Sequence, residues 1–174
     1  MTRPLLRLVG CAALLCAGAA CGYSFAQRGA AALGPLRVAA LGNFTAQAEA
    51  GGLFASELRA EIESRGRLAS DGSSAPLLEG EIVRLGDRPG ALGLQGVQTF
   101  TVDAELHVRV REAGRELHSD AASGAEDYLA GVDVLGTEAN RRAALRRLSR
   151  TLAREVVERL EVAERLEAAE RAPR

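Results

Sequence analysis

Lysine and tryptophan are both absent from this chain of 174 residues, and only 3% of its residues are aromatic. Leucine, valine and alanine must therefore supply the core, and an apolar fraction of 47% is sufficient for a single domain of this length. Every basic residue is arginine, and acidic residues are interspersed among the arginines to give a net charge of −1. Nucleic-acid-binding proteins usually carry a clustered basic surface, so this balance predicts no nucleic-acid partner.

Apolar runs long enough to cross a bilayer as a helix are also lacking. An uncharged and mostly apolar segment, Leu8 to Ala20, follows Arg3 and Arg7 near the start of the chain. Its length and its basic flank are typical of the apolar core of a signal peptide. We therefore predict that residues 1–20 direct export and are then removed.

Cysteine is scarce, and two of the three cysteines, Cys11 and Cys16, lie within the predicted signal peptide. The third, Cys21, follows three small residues at the end of the apolar run, an arrangement that resembles the lipobox of bacterial lipoproteins. Gly18 stands where that motif usually has leucine. We predict that Cys21 is lipidated and anchors the chain to a membrane. Ordinary secretory cleavage at the same small residues is the alternative, and it would leave Cys21 as a free thiol.

The mature chain divides into three segments by composition. Residues 21–34 show little periodicity and are interpreted as a lipidated tether. Apolar patterns then indicate one α/β domain at residues 35–160, with no internal repeat and no further boundary. Residues 161–174 alternate acids and arginines, and we expect this charged tail to be exposed helix or disorder.

The first half of the domain predicts a strand, a helix and a second strand. An apolar strand at 36–41 ends at the turn residues Gly42 and Asn43. A helix at 48–65 has an apolar stripe with a spacing of four residues, formed by Phe54, Leu58 and Ile62. A strand at 77–85 follows, and the glycine-rich segment 86–96 is interpreted as a loop.

The second half shows the clearest strand of the chain, because apolar and polar residues alternate strictly from Phe100 to Arg111. A turn at residues 112–115 predicts an antiparallel return strand at 116–125. A long helix from about Thr137 closes the domain, and its apolar stripe consists of Leu145, Leu148, Leu152, Val156 and Leu160. The order β-α-β-β-β-α predicts an α+β fold in which two helices cover one face of a small, four-stranded, mixed but mainly antiparallel sheet.

Residues suited to catalysis or metal binding do not cluster in this sequence. His107 and His118 are the only histidines, and we interpret both as exposed surface residues because no third or fourth ligand has metal-typical spacing. Glu79 and Glu81 share one strand face, but nothing in the sequence indicates a raised pKa for either carboxyl group. We therefore predict a protein without catalytic residues, metal or cofactor.

Arginines cluster in two places. The final helix carries one group that could grip lipid phosphates or simply keep the helix solvated through pairing with glutamates, and we favour the second interpretation: Arg141, Arg142, Arg146, Arg147, Arg150 and Arg154. A second candidate group lies near the end of the predicted sheet and comprises Arg84, Arg88, Arg109 and Arg111.

Short motifs of the mature chain occur in an order known from one family of envelope lipoproteins. Cys21-Gly22-Tyr23-Ser24-Phe25 resembles the mature start of the lipopolysaccharide-assembly lipoproteins, the LptE or rare lipoprotein B family. Asn43-Phe44-Thr45 is similar to the turn after the family's first strand, although the family more often has phenylalanine before the asparagine. Leu78-Glu79-Gly80-Glu81-Ile82 is similar to the family's Leu-x-Gly-x-Ile strand. The resemblance covers nearly all of the mature chain in element order.

The resemblance implies a lipid-anchored protein of the outer membrane that faces the periplasm. Members of the family sit as a plug inside a β-barrel of the LptD type, help it to assemble, and deliver lipopolysaccharide with it to the cell surface. Gly22 is compatible with outer-membrane sorting because a retention aspartate is absent there. We expect contacts with the barrel or with lipopolysaccharide at segment 86–96, at the polar face of residues 101–111 and at the second arginine group.

Two other kinds of lipoprotein remain as alternatives. A lipoprotein of the curli-secretion or peptidoglycan-synthase-activator type shares a similar strand–helix–strand opening, and a periplasmic ligand-binding lipoprotein is the second alternative. A pore-forming protein would need amphipathic membrane hairpins, and the sequence shows none.

Overall fold

The computed structural model of the protein describes residues 33–92 and 98–171, so Cys21 and the predicted signal peptide lie outside the described residues. Within these described ranges, seven elements follow one another in chain order. They are β1 (Arg37–Val38), β2 (Gly42–Asn43), α1 (Ala50–Ser64), β3 (Leu77–Leu92), β4 (Gln98–Glu112), β5 (Arg115–Leu129) and α2 (Val134–Arg171). Neither helix contains a stretch that is both long and apolar enough to cross a membrane.

The strands form one open sheet in the order β1-β3-β4-β5, with β2 also paired to β3. β1 and β2 run parallel to β3, whereas β3, β4 and β5 are joined by antiparallel pairing. The three long strands are consecutive in sequence, as expected for hairpin connections. The predicted α+β class and the mixed, mainly antiparallel sheet are confirmed.

The first predicted strand is shorter and interrupted. Leu36 forms only an isolated bridge with Leu68, and the pairing with β3 is divided between β1 and β2. Gly42 and Asn43, predicted as a turn, instead pair with Glu81 and Ile82. The turn begins only after Asn43, so its predicted position was wrong, because the neighbouring strand supplies hydrogen bonds that the local sequence does not reveal.

The predicted loop at 86–96 was also wrong over its first part, because β3 continues to Leu92. β4 extends alongside it, so that Gly86 lies opposite Asp103 and Pro89 lies opposite Phe100. β1 and β2 do not reach this part of β3, so within the described residues its other edge has no partner strand. Glycine and proline are tolerated in such an edge strand, and proline there forgoes no bond on the free side.

Both predicted apolar stripes form the core. Phe54, Leu58 and Ile62 of α1 are buried, as are all five stripe residues of α2. They pack over one face of the sheet, where the buried residues of β4 are Val102, Ala104, Leu106, Val108 and Val110. α1 contacts β1, β2 and β3, whereas α2 contacts β4, β5 and α1. Each helix therefore covers its own half of the same face.

The C-terminal helix continues past residue 160, where its apolar pattern weakens, and ends at Arg171. Glu164 is buried and accepts a hydrogen bond of 2.5 Å from Arg67 Nη2, and the same nitrogen donates to Gly34 O at 3.1 Å. Arg65 Nη1 donates to Glu161 Oε2 at 2.8 Å. These ion pairs attach the helix, beyond its apolar stripe, to the chain that follows α1.

Candidate functional site

The helices cover one face of the sheet, and we call the other face the open face. Successive side chains of a strand point to opposite sides, so the buried even-numbered residues of β4 place its odd-numbered residues here. β3 contributes a second row beside them. The open face comprises Thr101, Asp103, Glu105, His107, Arg109 and Arg111 of β4 with Glu79, Glu81, Arg84 and Arg88 of β3.

A β-bulge in β3 decides which arginines reach the open face. Glu79 pairs with Arg109 before the bulge, and Arg84 pairs with Glu105 after it. The register shifts between Ile82 and Arg84, so even-numbered residues take over the side that odd-numbered residues held before. Without this extra residue, Arg84 and Arg88 would point toward the helices.

Asp103 is the buried centre of one half of the open face. Only 5% of the residue is exposed. Arg84 Nη1 lies 2.6 Å from Asp103 Oδ2, and Arg88 Nε donates to Asp103 Oδ1 at 3.0 Å. Both guanidinium groups lie over the carboxylate with their outer sides in water, because the two arginine side chains are more than half exposed.

Glu79 occupies the equivalent position in the other half. Arg109 Nε lies 3.4 Å from Glu79 Oε1, and Arg111 Nη1 lies 3.3 Å from the same oxygen. The structure therefore brings all four predicted arginines onto one face, but as two pairs that each share a carboxylate. A ligand phosphate could approach the exposed sides of these guanidinium groups only in competition with carboxylates that already hold them.

The two histidines do not converge. His107 lies on the open face, where its Nε2 is 3.2 Å from Glu105 Oε1. His118 lies opposite Val110 on the helix-covered face, and its Nε2 is buried without a hydrogen-bond partner. The prediction that both are exposed was wrong for His118, because β5 places it on the face toward the core. Within residues 33–92 and 98–171, no three potential metal ligands lie together.

The arginines of the final helix are largely engaged with acidic side chains. Arg142 Nε lies 2.9 Å from Glu138 Oε1 along the helix, and Arg147 Nε lies 3.2 Å from Glu126 Oε2. Arg150 Nε lies 3.6 Å from Glu57 Oε2 of α1. These contacts agree with the favoured interpretation of a solvated, ion-paired helix face rather than a phosphate-binding surface.

A polar cluster of Asp87, Tyr128 and Arg141 was not predicted from the sequence. Tyr128 OH donates to Asp87 Oδ1 at 3.0 Å, and Arg141 Nη2 lies 2.9 Å from Asp87 Oδ2. Burial, together with the hydrogen bond to Asp87, raises the pKa of Tyr128 to about 12. The ring of Tyr128 also stacks on Phe100 with centroids 5.5 Å apart. The three polar residues come from β3, β5 and α2, so no sequence spacing could reveal them.

Two of the short motifs in the sequence have a structural reason. A Cβ on Gly80 would lie 2.4 Å from His107 O, so only glycine lets β3 approach β4 closely at this point. Asn43 Oδ1 accepts hydrogen bonds from Thr45 N at 3.0 Å and Thr45 Oγ1 at 2.7 Å, while Asn43 Nδ2 donates to Gln47 O at 2.6 Å. The asparagine therefore fixes the turn that leads into α1.

Comparison with known proteins identifies one family. A family model described as lipopolysaccharide-assembly (LptE) matches residues 33–160, which include all three long strands, α1 and most of α2. No curated protein matches the sequence.

Solved structures share the fold at low sequence identity. Rare lipoprotein B from Shewanella oneidensis is 15% identical, with a TM-score of 0.52 and coverage of 75% of this chain and 98% of that one. A minor lipoprotein from Acinetobacter baumannii is 13% identical, with a TM-score of 0.50 and coverage of 74% and 91%. At such identities the likeness is one of fold alone.

Proposed function

The chain belongs to the lipopolysaccharide-assembly (LptE) family, and on that premise we propose that it is an outer-membrane lipoprotein that plugs and helps assemble a β-barrel translocon. In this proposal the barrel is of the LptD type, and the pair delivers lipopolysaccharide to the cell surface. The family is one of non-enzymatic assembly lipoproteins, which fits an open face whose charged groups are held in structural ion pairs.

The open face is the observation that carries the proposal. It presents positive and negative groups side by side on a rigid three-stranded surface, because β3, β4 and β5 are paired over most of their length. Mixed charge of this kind suits a polar protein surface such as a barrel lumen, since complementary charges set orientation and exclude wrong partners. A compact domain that keeps one sheet face for a partner fits the role of a plug.

Lipopolysaccharide contact is assigned in the same proposal to Arg84, Arg88, Arg109 and Arg111. Their side chains are between 46% and 65% exposed, so each guanidinium group has an outer side that a phosphate can reach. Arginine binds phosphate through two parallel hydrogen bonds, which is geometrically specific. The anchor of the protein is Cys21, lipidated at the start of the tether.

Docking on the barrel can be tested by reversing charge without changing the net charge. The double substitution Glu105→Arg and Arg109→Glu alters only exposed or half-buried residues of the open face. We expect co-purification of the barrel from solubilised outer membrane to fall sharply. The matched control is Glu138→Arg with Arg142→Glu, which reverses an exposed pair on α2.

Equal recovery of the barrel by both double variants would argue against docking through the open face. The same purification separates the alternatives, because a synthase in place of a barrel would indicate an activator-type lipoprotein. Recovery of neither partner would favour a periplasmic ligand-binding lipoprotein.

Lipopolysaccharide contact can be tested with purified protein and purified lipopolysaccharide. Replacing Arg84, Arg88, Arg109 and Arg111 with glutamine should abolish most of the binding. The control removes the same charge from exposed arginines of α2, namely Arg142, Arg146, Arg150 and Arg154. A greater loss in the control would transfer the contact from the open face to α2.

The anchor is tested by Cys21→Ser. We expect this variant to leave the membrane fraction and to lose fatty-acid labelling, while the folded domain is unchanged. A variant that stays membrane-bound would contradict lipidation at this position.

A further inference from the structure

Among the described residues, β5 has one edge that is unpaired along its whole length. In the described parts of the chain no strand pairs with β5 on the side away from β4. An exposed strand edge offers unpaired N–H and C=O groups that invite pairing with another chain. β5 runs for 15 residues, which is ample length for such pairing.

Side chains of α2 reach over to this edge. Arg159 Nη1 donates to Ala121 O at 2.9 Å, and the N–H of Ala121 is bonded to Asp120 Oδ1 at 2.8 Å. Both backbone groups of Ala121 are therefore occupied. A guanidinium group lying on this carbonyl also fills the space that an incoming strand would need.

The same contact recurs twice further along β5. Arg147 Nη2 donates to Asp127 O at 3.0 Å, and Asn140 Nδ2 donates to Leu129 O at 3.0 Å. The three bonded carbonyls belong to odd-numbered residues, whose side chains share one face of the strand. We call Asn140, Arg147 and Arg159 the edge-blocking residues.

The spacing of the two arginines follows from helix and strand geometry. From Arg147 to Arg159, α2 rises by about 18 Å at the usual 1.5 Å per residue. From Ala121 to Asp127, β5 spans about 20 Å at the usual strand rise of roughly 3.3 Å per residue. α2 runs back along β5, so these two lengths bring each arginine level with an outward carbonyl.

The opposite edge of the sheet is interrupted by other means. β1 and β2 cover the first part of β3, and the bulge after Ile82 breaks the register beyond them. Pro89 follows and has no N–H to offer to an incoming strand. Bulges and prolines are common protections of exposed strand edges, and beyond the irregularity at Leu117 β5 has neither from His118 to Leu129.

We propose that the edge-blocking residues keep β5 from pairing with the β5 edge of a second copy of this chain. Two β5 edges placed antiparallel would join two sheets into one. The residues of β5 that pair beside His107, Glu105 and Asp103 are Ala121, Ser123 and Ala125, which are too small to obstruct such pairing. In this proposal the side chains of α2 therefore prevent the pairing of two β5 edges.

The test compares the sedimenting mass of the purified mature lipoprotein in detergent. We expect Arg147→Ser with Arg159→Ser to double the mass as two copies pair through β5. The control is Arg146→Ser with Arg154→Ser, which removes the same charge from exposed positions of the same helix. The control should remain at the mass of the parent protein.

A second measurement identifies the contact and does not depend on the mass alone. Ser123 is exposed near the middle of β5, so Ser123→Cys should form an intermolecular disulfide when two β5 edges pair antiparallel. We expect this disulfide in the serine variant of Arg147 and Arg159 but not in the parent. Each single substitution, Arg147→Ser or Arg159→Ser, should give a smaller fraction of the same cross-link, which covers the case that the double variant does not fold.

The proposal is overturned if the double variant stays at the mass of the parent without a cross-link. It is also overturned if the control pair dimerises to the same extent, since loss of helix charge would then be the cause. Barrel docking and lipopolysaccharide binding have their own variants, so failure here leaves the proposed function untouched.

Discussion

Alternate residues of β4 form its two faces, yet the sequence reveals much more about one face than about the other. On the helix-covered face, Val102, Leu106 and Val110 are fully buried, and any large apolar residue of suitable shape would serve. On the open face, particular charged residues hold particular partners, as Arg84 and Arg88 do with Asp103. The first face forms the core of the fold, and the second is the surface that we propose for partner contact.

The difference also concerns energy. Burying an apolar side chain removes it from water and fills space, so its loss costs both hydration and packing free energy. The arginines of the open-face ion pairs are exposed, so water and salt weaken these pairs. Substitutions on the two faces should therefore differ widely in their effect on stability, and this can be measured.

Leu106→Ala should have the largest effect. Leu106 is fully buried opposite Ala122 and Ile82, and its truncation leaves a cavity between the sheet and the helices. We expect the free energy of unfolding to fall by about 2–5 kcal/mol, measured by urea denaturation. His107→Ala, one residue along on the open face, is the matched control and should cost far less. Equal losses would mean that the two faces do not differ as described.

Asp103→Ala should have the next largest effect, because Asp103 is the one buried acid among the described open-face residues. Its loss removes a charge-assisted hydrogen bond from Arg88 and an ion pair with Arg84, and we expect a cost of about 1–3 kcal/mol. The arginines that lose their partner, Arg84 and Arg88, are exposed and can be hydrated, which limits the cost. Unfolding measured as above provides the value. A change below that of Arg84→Ala would show that burial of Asp103 contributes nothing.

Tyr128→Phe tests the polar end of the helix-covered face. We expect a loss of about 0.5–1.5 kcal/mol below pH 10, since one hydrogen bond to Asp87 disappears. The pKa of Tyr128 is raised from 10.0 to about 12, so its contribution to stability is complete below pH 10 and is lost as the pH rises toward 12. Phenylalanine removes that dependence.

The chain is favourable for this measurement because it has no lysine, so few other side chains titrate between pH 10 and 12. Tyr23 is the only other tyrosine, and Tyr23→Phe provides the control. A fall in stability between pH 10 and 12 that persists in Tyr128→Phe would assign it to another group.

The same contrast explains which features the sequence could predict. The helix-covered face follows from periodicity, so the stripe of Phe54, Leu58 and Ile62 and the alternation of β4 were predicted residue by residue. The continuation of β3 past Gly86 was not, because glycine and proline locally favour a loop and only pairing with β4 holds them extended. Hydrophobic periodicity predicts which residues are buried, whereas the pairing of a strand depends on residues that are distant in the sequence.

The candidate site was predictable in part for the same reason. All four arginines could be selected as a group from composition and position, but their partners could not. The bulge after Ile82 reverses which side of β3 faces the helices, and a one-residue shift of this kind leaves no trace in the hydrophobic pattern. Because of the bulge, Asp87 lies on the helix-covered face beside Tyr128, and Arg84 lies on the open face beside Asp103.

Arg111→Ala should have the smallest effect on stability. Its guanidinium lies 3.3 Å from Glu79 in an exposed pair, and Arg109 remains to hold the same carboxylate. We expect a change of about 0–1 kcal/mol in the free energy of unfolding, which salt should reduce further. If the open face docks in a barrel as proposed, recovery of that barrel should nevertheless decline, because complementary charge governs partner choice more than it governs folding. If Arg111→Ala destabilised the fold as much as Leu106→Ala, the open face would be a structural layer and its assignment to partner contact would fail.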